Sequence, residues 1–281
     1  MYLIPRQWAA ALVLILWSAA AAAQTPCRAP SADCVIVGKW EISLSIGYGE
    51  RSNPIAANSD IPLHLLPQIS YYGKRFFLEN LELGFTLHET DAHMFNVIAA
   101  PGYDRVFFVR NDLQNIFVSA STVSLNAPPT AVPSFELVRE YPIGGRRTTY
   151  LVGPEWLFRA GRFVGQLDAL REVTGEHDGY EVRAAIATPV VQSKSSLVVS
   201  AGLTWKSSAL VQYYYGVDGL YEPGAALNPF IKLGFVHPLS ERWSFSTSVH
   251  HERLADSITD SPIVAEDSVT TFFAGFVLKV L

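Results

Sequence analysis

Apolar and polar residues alternate along most of this chain. From Lys39 to Tyr48, Trp40, Ile42, Leu44, Ile46 and Tyr48 fall on one face and Glu41, Ser43, Ser45 and Gly47 on the other. Side chains on an extended strand point alternately to opposite sides, so this period of two predicts a strand with one apolar face. The pattern returns in Leu63–Tyr72, in Leu81–Leu87 and, after the turn HETDAH, in Met94–Tyr103. It resumes in Tyr150–Phe158, Phe163–Glu172, Gly179–Pro189 and, most cleanly, Ser196–Lys206. Leu210–Tyr215 reads as an extension of that last strand or as a segment pairing back on it. Pro229–His237 and Trp243–Val249 follow, and the chain closes on Phe272, Ala274, Phe276, Leu278 and Val280, which share a face. Turns such as Gly73-Lys74, RAGR, TGEHDG and HPLSER separate the strands.

An apolar strand at the end of a chain is an aggregation hazard in water, and closing the sheet into a barrel in lipid removes it. Repeats of about ten alternating residues plus a turn are the signature of a transmembrane β-barrel. The other faces are rich in Ser, Gly and Thr, with Glu41, Glu181, Arg183, Lys232 and Lys279 among them, as a polar, hydrated lumen requires. Ten to twelve strands are counted; both ends on one side of the membrane demand an even number, and twelve fits best. A soluble β-sandwich or lipocalin-like barrel uses the same alternation. The apolar last strand and the Tyr and Trp residues at strand ends favour the membrane. Arg105–Thr148 breaks the pattern at Pro128, Pro129, Pro133, Pro142 and Gly144-Gly145, which predicts one long connection folded over the barrel or into its mouth.

The chain is 49% hydrophobic and 17% charged. Its one long apolar run, Trp8–Ala23, follows Arg6 and ends in three alanines, the form of a secretory signal peptide spanning residues 1–23. Residues 24–37 then form an N-terminal periplasmic segment, and 38–281 the barrel. Cys27 and Cys34 in an exported chain are expected to form one disulfide; two thiols alone do not make a zinc site. Cys27 lies behind Gln24-Thr25-Pro26, away from the cleavage point that lipidation needs. With a net charge of −5 and no basic cluster beyond Arg146-Arg147, nucleic acid is not a partner.

Three polar clusters invite chemistry. Ser248, His250 and Glu252 share a strand face, offering nucleophile, base and orienting carboxylate, but i and i+2 residues stand about 6.5–7 Å apart, too far for ready hydrogen bonding. The row reads as ordinary lumen-facing polarity. Adjacent His250 and His251 point to opposite faces and cannot chelate one ion. His88, Glu89, Asp91 and His93 offer metal ligands within one turn, yet short polar turns often look like this and no HExxH pattern is present. The carboxylates from Asp260 to Asp267 read as solvating a loop, and His177-Asp178 as turn chemistry. No catalytic, cofactor-binding or metal residues are therefore expected, and no cofactor.

Four stretches resemble the MipA/OmpV family of Gram-negative outer membranes, the MltA-interacting proteins. QISYYGKRFFLENLELGFTLHETD is similar to its tyrosine-rich strand, Gly turn and R-F-F-L strand. LREVTGEHDGYEVRAAI resembles its strand and G-x-H-D-G turn, QYYYGVD its Q-x-Y-[FY]-G-V segment, and the tail its closing strands around D-S-P-I-V. Leu281 departs from the terminal aromatic common in such barrels. The resemblance implies a non-enzymatic outer-membrane barrel, in contact with membrane lipid and lipopolysaccharide. It also implies a scaffold linking a lytic transglycosylase to a penicillin-binding protein, a murein hydrolase and synthase, in peptidoglycan remodelling. A small-solute channel and a lipid A hydrolase are the alternatives.

Overall fold

The computed structural model describes residues 37–56, 58–108 and 146–281. The expected signal peptide, the cysteine-bearing segment before residue 37 and residues 109–145 of the long connection lie outside the described residues. Twelve antiparallel strands close into one barrel in which chain neighbours are sheet neighbours, the count that alternation favoured. They are β1 (Trp40–Arg51), β2 (Ile61–Tyr72), β3 (Phe76–Glu79), β4 (Glu82–Glu89), β5 (His93–Pro101), β6 (Tyr150–Ala160), β7 (Phe163–Glu172), β8 (Tyr180–Gln192), β9 (Ser196–Lys206), β10 (Ala226–Pro238), β11 (Trp243–Arg253) and β12 (Ser268–Lys279). β12 closes on β1 from Ser43↔Lys279 to Arg51↔Thr271, so no strand edge is left at the chain's end.

The two faces of the wall follow the sequence pattern. Ile46, Phe85, Leu203, Ile231 and Phe276 point outward and stay exposed, as lipid-facing residues must. Among the described residues no helix is long and apolar enough to cross a membrane; this chain crosses with strands. Inside, glycines face aromatic rings across the ladder, Gly84 opposite Phe77 and Gly202 opposite Phe230, and the same pairing recurs on the outer face with Gly165 opposite Phe158. A Cβ at any of these three glycines would collide with the ring. Phe273 lies in the same way over Gly47 and Gly275, beside Ile61, Leu63 and Leu66. The lumen is thus less uniformly polar than the alternation suggested.

The wall is uneven at β3. This strand has four residues and meets β2 only through Ser70↔Glu79, Tyr71↔Leu78 and Tyr72↔Phe77. Asn80 then adopts a positive φ of 55°. Its N–H donates to the Ile69 carbonyl at 2.8 Å and its side-chain oxygen accepts from the Ile69 N–H at 3.1 Å, standing in for the next strand residue. The rest of β2 carries Pro62 and Pro67, which lack the N–H that an edge would otherwise leave exposed.

At the end where β1 begins and β12 finishes, the connections are tight turns; at the other, besides the two-residue turn Asn80-Leu81, they are the loops 52–60, 102–149, 173–179, 207–225 and 254–267. Bacterial barrels keep short turns on the periplasmic side and long loops outside, which sets the direction of this one. Leu210–Tyr215 neither extends β9 nor pairs back on it, because Ser208–Tyr215 forms a helix, α1. Ser207 is extended, and its hydroxyl accepts from the Leu210 N–H at 3.5 Å, which caps the helix start. Leu210, Val211, Tyr214 and Tyr215 then fall on one buried face, a spacing too short in sequence to separate from a strand. β5 also ends earlier than predicted, at Pro101, and Tyr103–Phe107 turns into a short 3-10 helix.

Candidate functional site

The largest apolar core of the described residues sits at the outer mouth. From α1 come Leu210, Val211, Tyr214 and Tyr215; from the strand ends Ile98, Leu151, Leu170, Ala226 and Val269; from the loops Val106, Phe107, Ile55, Leu254 and Ile258. Elements from every side of the rim therefore converge over the lumen. Water is squeezed from this layer, and each buried methylene contributes about 0.8 kcal/mol.

Polar contacts fix that layer in place. Asp104, in the 3-10 helix, is 1% exposed. It accepts from the Lys206 ammonium and from the Tyr215 hydroxyl, each at 2.6 Å. One carboxylate thus ties the β5–β6 connection to the top of β9 and to α1. Arg146 donates to the carbonyls of Tyr214 at 2.7 Å and Gly216 at 3.2 Å, and its guanidinium lies 4.8 Å over the Phe108 ring. Burial lowers its pKa, and raises those of the Tyr214 and Tyr215 phenols, so the phenols stay neutral donors. Arg51 lies 5.1 Å over the Tyr103 ring. Asn53 and Asn58 both donate to the Phe107 carbonyl at 3.0 Å, and Ser261 to the Tyr215 carbonyl at 2.6 Å. A second short helix, α2 (Asp256–Thr259), is held by the Ser257 hydroxyl on the Ala225 carbonyl at 2.9 Å.

The turn TGEHDG is organised by one carboxylate. Glu172 accepts from the backbone N–H groups of Gly175, Glu176 and Asp178 at 3.2 Å, of His177 at 3.4 Å, and also of Thr174. Gly175 and Asp178 take the positive φ values, 79° and 51°, that the turn demands. His177 accepts from the Gly179 N–H at 3.0 Å, and burial holds its imidazole below the usual histidine range. Its ring packs on Tyr213 and Tyr214, centroids 5.2 and 6.0 Å away, so this turn is part of the cap.

Below the cap the lumen carries charge on the neighbouring strands β6, β7 and β8, where Asp168 lies between Glu155 and Arg183 in the ladder. Asn96 donates to Glu155 at 2.6 Å, and Gln166 donates at 3.0 Å to both Glu155 and Asp168, cross-strand partners on β6 and β7. Arg183 pairs with Glu181 on β8. Ser248, His250 and Glu252 do line the lumen together, but no hydrogen bond joins them. Asn228 donates to Glu252 at 2.8 Å, and His250 packs on Phe230 at 5.4 Å. His251 faces out, 2.8 Å from the Thr270 hydroxyl. In the HETDAH turn, His93 accepts from the Trp156 indole N–H at 3.3 Å. Among the described residues no group of three or more His, Cys, Asp or Glu is placed to hold a metal. Asp104, Lys206, Arg51 and Arg146, which build the cap, were not legible as a site: they lie far apart in sequence and match no motif.

The family model for the MltA-interacting protein MipA matches residues 42–279. This chain belongs to the MipA family. It is an outer-membrane β-barrel protein. The YiaT protein of Escherichia coli is 22% identical over 244 residues, 84% of this chain and 89% of that one. The MltA-interacting protein of Escherichia coli is 30% identical over 87 residues, 28% of this chain and 35% of its own length. OmpV of Vibrio cholerae is 26% identical over 112 residues, 37% of this chain and 43% of that one. Among solved structures, an outer membrane channel of Pseudomonas putida aligns over 89% of this chain and 99% of its own, with a TM-score of 0.43 and 11% identity.

Proposed function

We propose that this family member works as an interaction protein of the outer membrane rather than as an open pore. Its role is to hold a lytic transglycosylase near a penicillin-binding protein at the cell wall. The observation that carries the reading is the cap: α1 and the loops are locked over the mouth through Asp104, Lys206 and Tyr215, where an open channel would need a clear path. A relative named for its interaction with MltA supports the choice of partner. The partner-facing side is the turn-bearing end, including Leu239–Arg242. A photo-crosslinking residue placed at Ser240, followed by mass spectrometry, tests this. Capture of a lytic transglycosylase is expected; capture of no murein enzyme by any of the turns overturns the reading.

The charges that line the lumen on β6–β8 favour a second reading, a narrow channel for small solutes gated by the cap. Conductance in planar bilayers separates the two.

A further inference from the structure

The charged residues are divided between the two ends of the barrel. In the rim where β1 begins and β12 ends (residues 37–41, 73–76, 88–93, 159–163, 193–196, 239–243 and 277–281), Lys and Arg number eight against four Asp and Glu. In the described loops of the other end (52–56, 58–60, 102–108, 146–149, 173–179, 207–225 and 254–267) the balance reverses, three against ten. A chain of net charge −5 thus carries a basic rim at its periplasmic end.

Part of that rim has a repeated form. Four of the six strands that rise from this end open on a cation followed by an aromatic: Lys39-Trp40 at β1, Arg75-Phe76 at β3, Arg162-Phe163 at β7 and Arg242-Trp243 at β11. The four cations are exposed. The aromatics face outward at 50%, 47%, 39% and 40% exposure. The Arg162 guanidinium lies 5.4 Å over the Phe163 ring. An outward aromatic at a strand end sits among lipid headgroups, so the cation one residue before it stands at phosphate level. Acids at this rim, such as Glu41 beside Lys279 at 4.0 Å, leave these four pairs intact.

We infer that the four cation–aromatic pairs form a collar that binds anionic phospholipid of the periplasmic leaflet, the phosphodiester on Lys or Arg and the upper acyl chain against the ring. Each cation lies in the turn just before its strand, and the Arg162 guanidinium over the outward Phe163 ring places such a turn cation on the lipid side of the wall. A cation serving a periplasmic macromolecule would project along the barrel axis, free of any wall-facing aromatic.

The test uses the full mature chain in nanodiscs of phosphatidylethanolamine with a minor share of phosphatidylglycerol, lipids retained on detergent extraction being counted by native mass spectrometry. The wild type is expected to enrich phosphatidylglycerol over its bulk share. The variant Lys39→Gln, Arg75→Gln, Arg162→Gln, Arg242→Gln should lose at least about fivefold of that enrichment, given roughly 1 kcal/mol per cation at an anionic surface. Arg147→Gln with Arg171→Gln, at the opposite end, should leave it unchanged. If the fourfold variant does not fold, Arg162→Gln and Arg242→Gln alone must each lower enrichment. No phosphatidylglycerol preference in the wild type overturns the proposal, as does a variant that keeps the preference. So does a variant that keeps it while losing sedimentation with purified peptidoglycan, since the rim then serves a wall polymer.

Discussion

Replacing Asp104 with Asn removes one charge from the cap and almost no volume. In the folded chain Asp104 accepts from Lys206 and Tyr215 at 2.6 Å, and the two charged side chains are 2% and 6% exposed. Breaking such a pair strands a buried ammonium, at a cost of about 3–5 kcal/mol. Glu181, opposite Lys206 on β8, takes up part of that charge, which places the effect at the lower end, about 3 kcal/mol. The strand ladders are untouched, so the loss falls on opening of the cap: roughly a hundredfold more open molecules, at about 1.4 kcal/mol per decade. Amide hydrogen exchange of residues 208–215, with trypsin cleavage at Arg146-Arg147, reads this directly. Exchange there should accelerate by about that factor while β10–β12 exchange as before. Asp104→Asn combined with Lys206→Met should recover most of the loss, because no buried charge is then left alone. Equal exchange in Asp104→Asn and wild type, or no recovery in the double variant, would refute the claim that this carboxylate locks the cap.

Glu172→Gln should loosen the TGEHDG turn, since five N–H groups share its carboxylate; exchange protection at 174–178 is expected to fall about 10- to 100-fold, from roughly 1.5–3 kcal/mol for a charged acceptor. The same turn should weaken in acid. Burial lowers the folded pKa of His177, so its contribution is complete above the unfolded value near 6.5 and is lost as pH falls through the folded one; His177→Gln should flatten that dependence in exchange measurements. Gly202→Val puts a side chain into the Phe230 ring and the Ala184 carbonyl, for about 1–3 kcal/mol in urea titrations of vesicle-folded protein; adding Phe230→Leu should return part of it.

The wall was legible because most of its strands repeat a period-two signal over seven or more residues, as in Trp40–Arg51 and Ser196–Lys206. Its count and its closure between the first and last strands followed from that. Even β3, only four residues long, was marked by the flanking Gly73-Lys74 turn. The cap was not legible. Leu210–Tyr215 is apolar enough for either a strand or a short helix, and only the Ser207 cap and the converging strand ends decide. Asp104 meets Lys206 across 102 residues of chain, a pairing that depends on barrel closure rather than on any local pattern. The Ser248–His250–Glu252 row was legible as a shared face, but that Glu252 turns to Asn228 depends on the neighbouring strand.

Single-channel recording of the wild-type protein in planar bilayers tests the central claim, a closed barrel whose outer mouth is capped. At neutral pH and moderate voltage the cap should hold, giving a flat baseline, with steps appearing only in Asp104→Asn. Regular, long-lived steps from the wild type would contradict it and make the protein a channel.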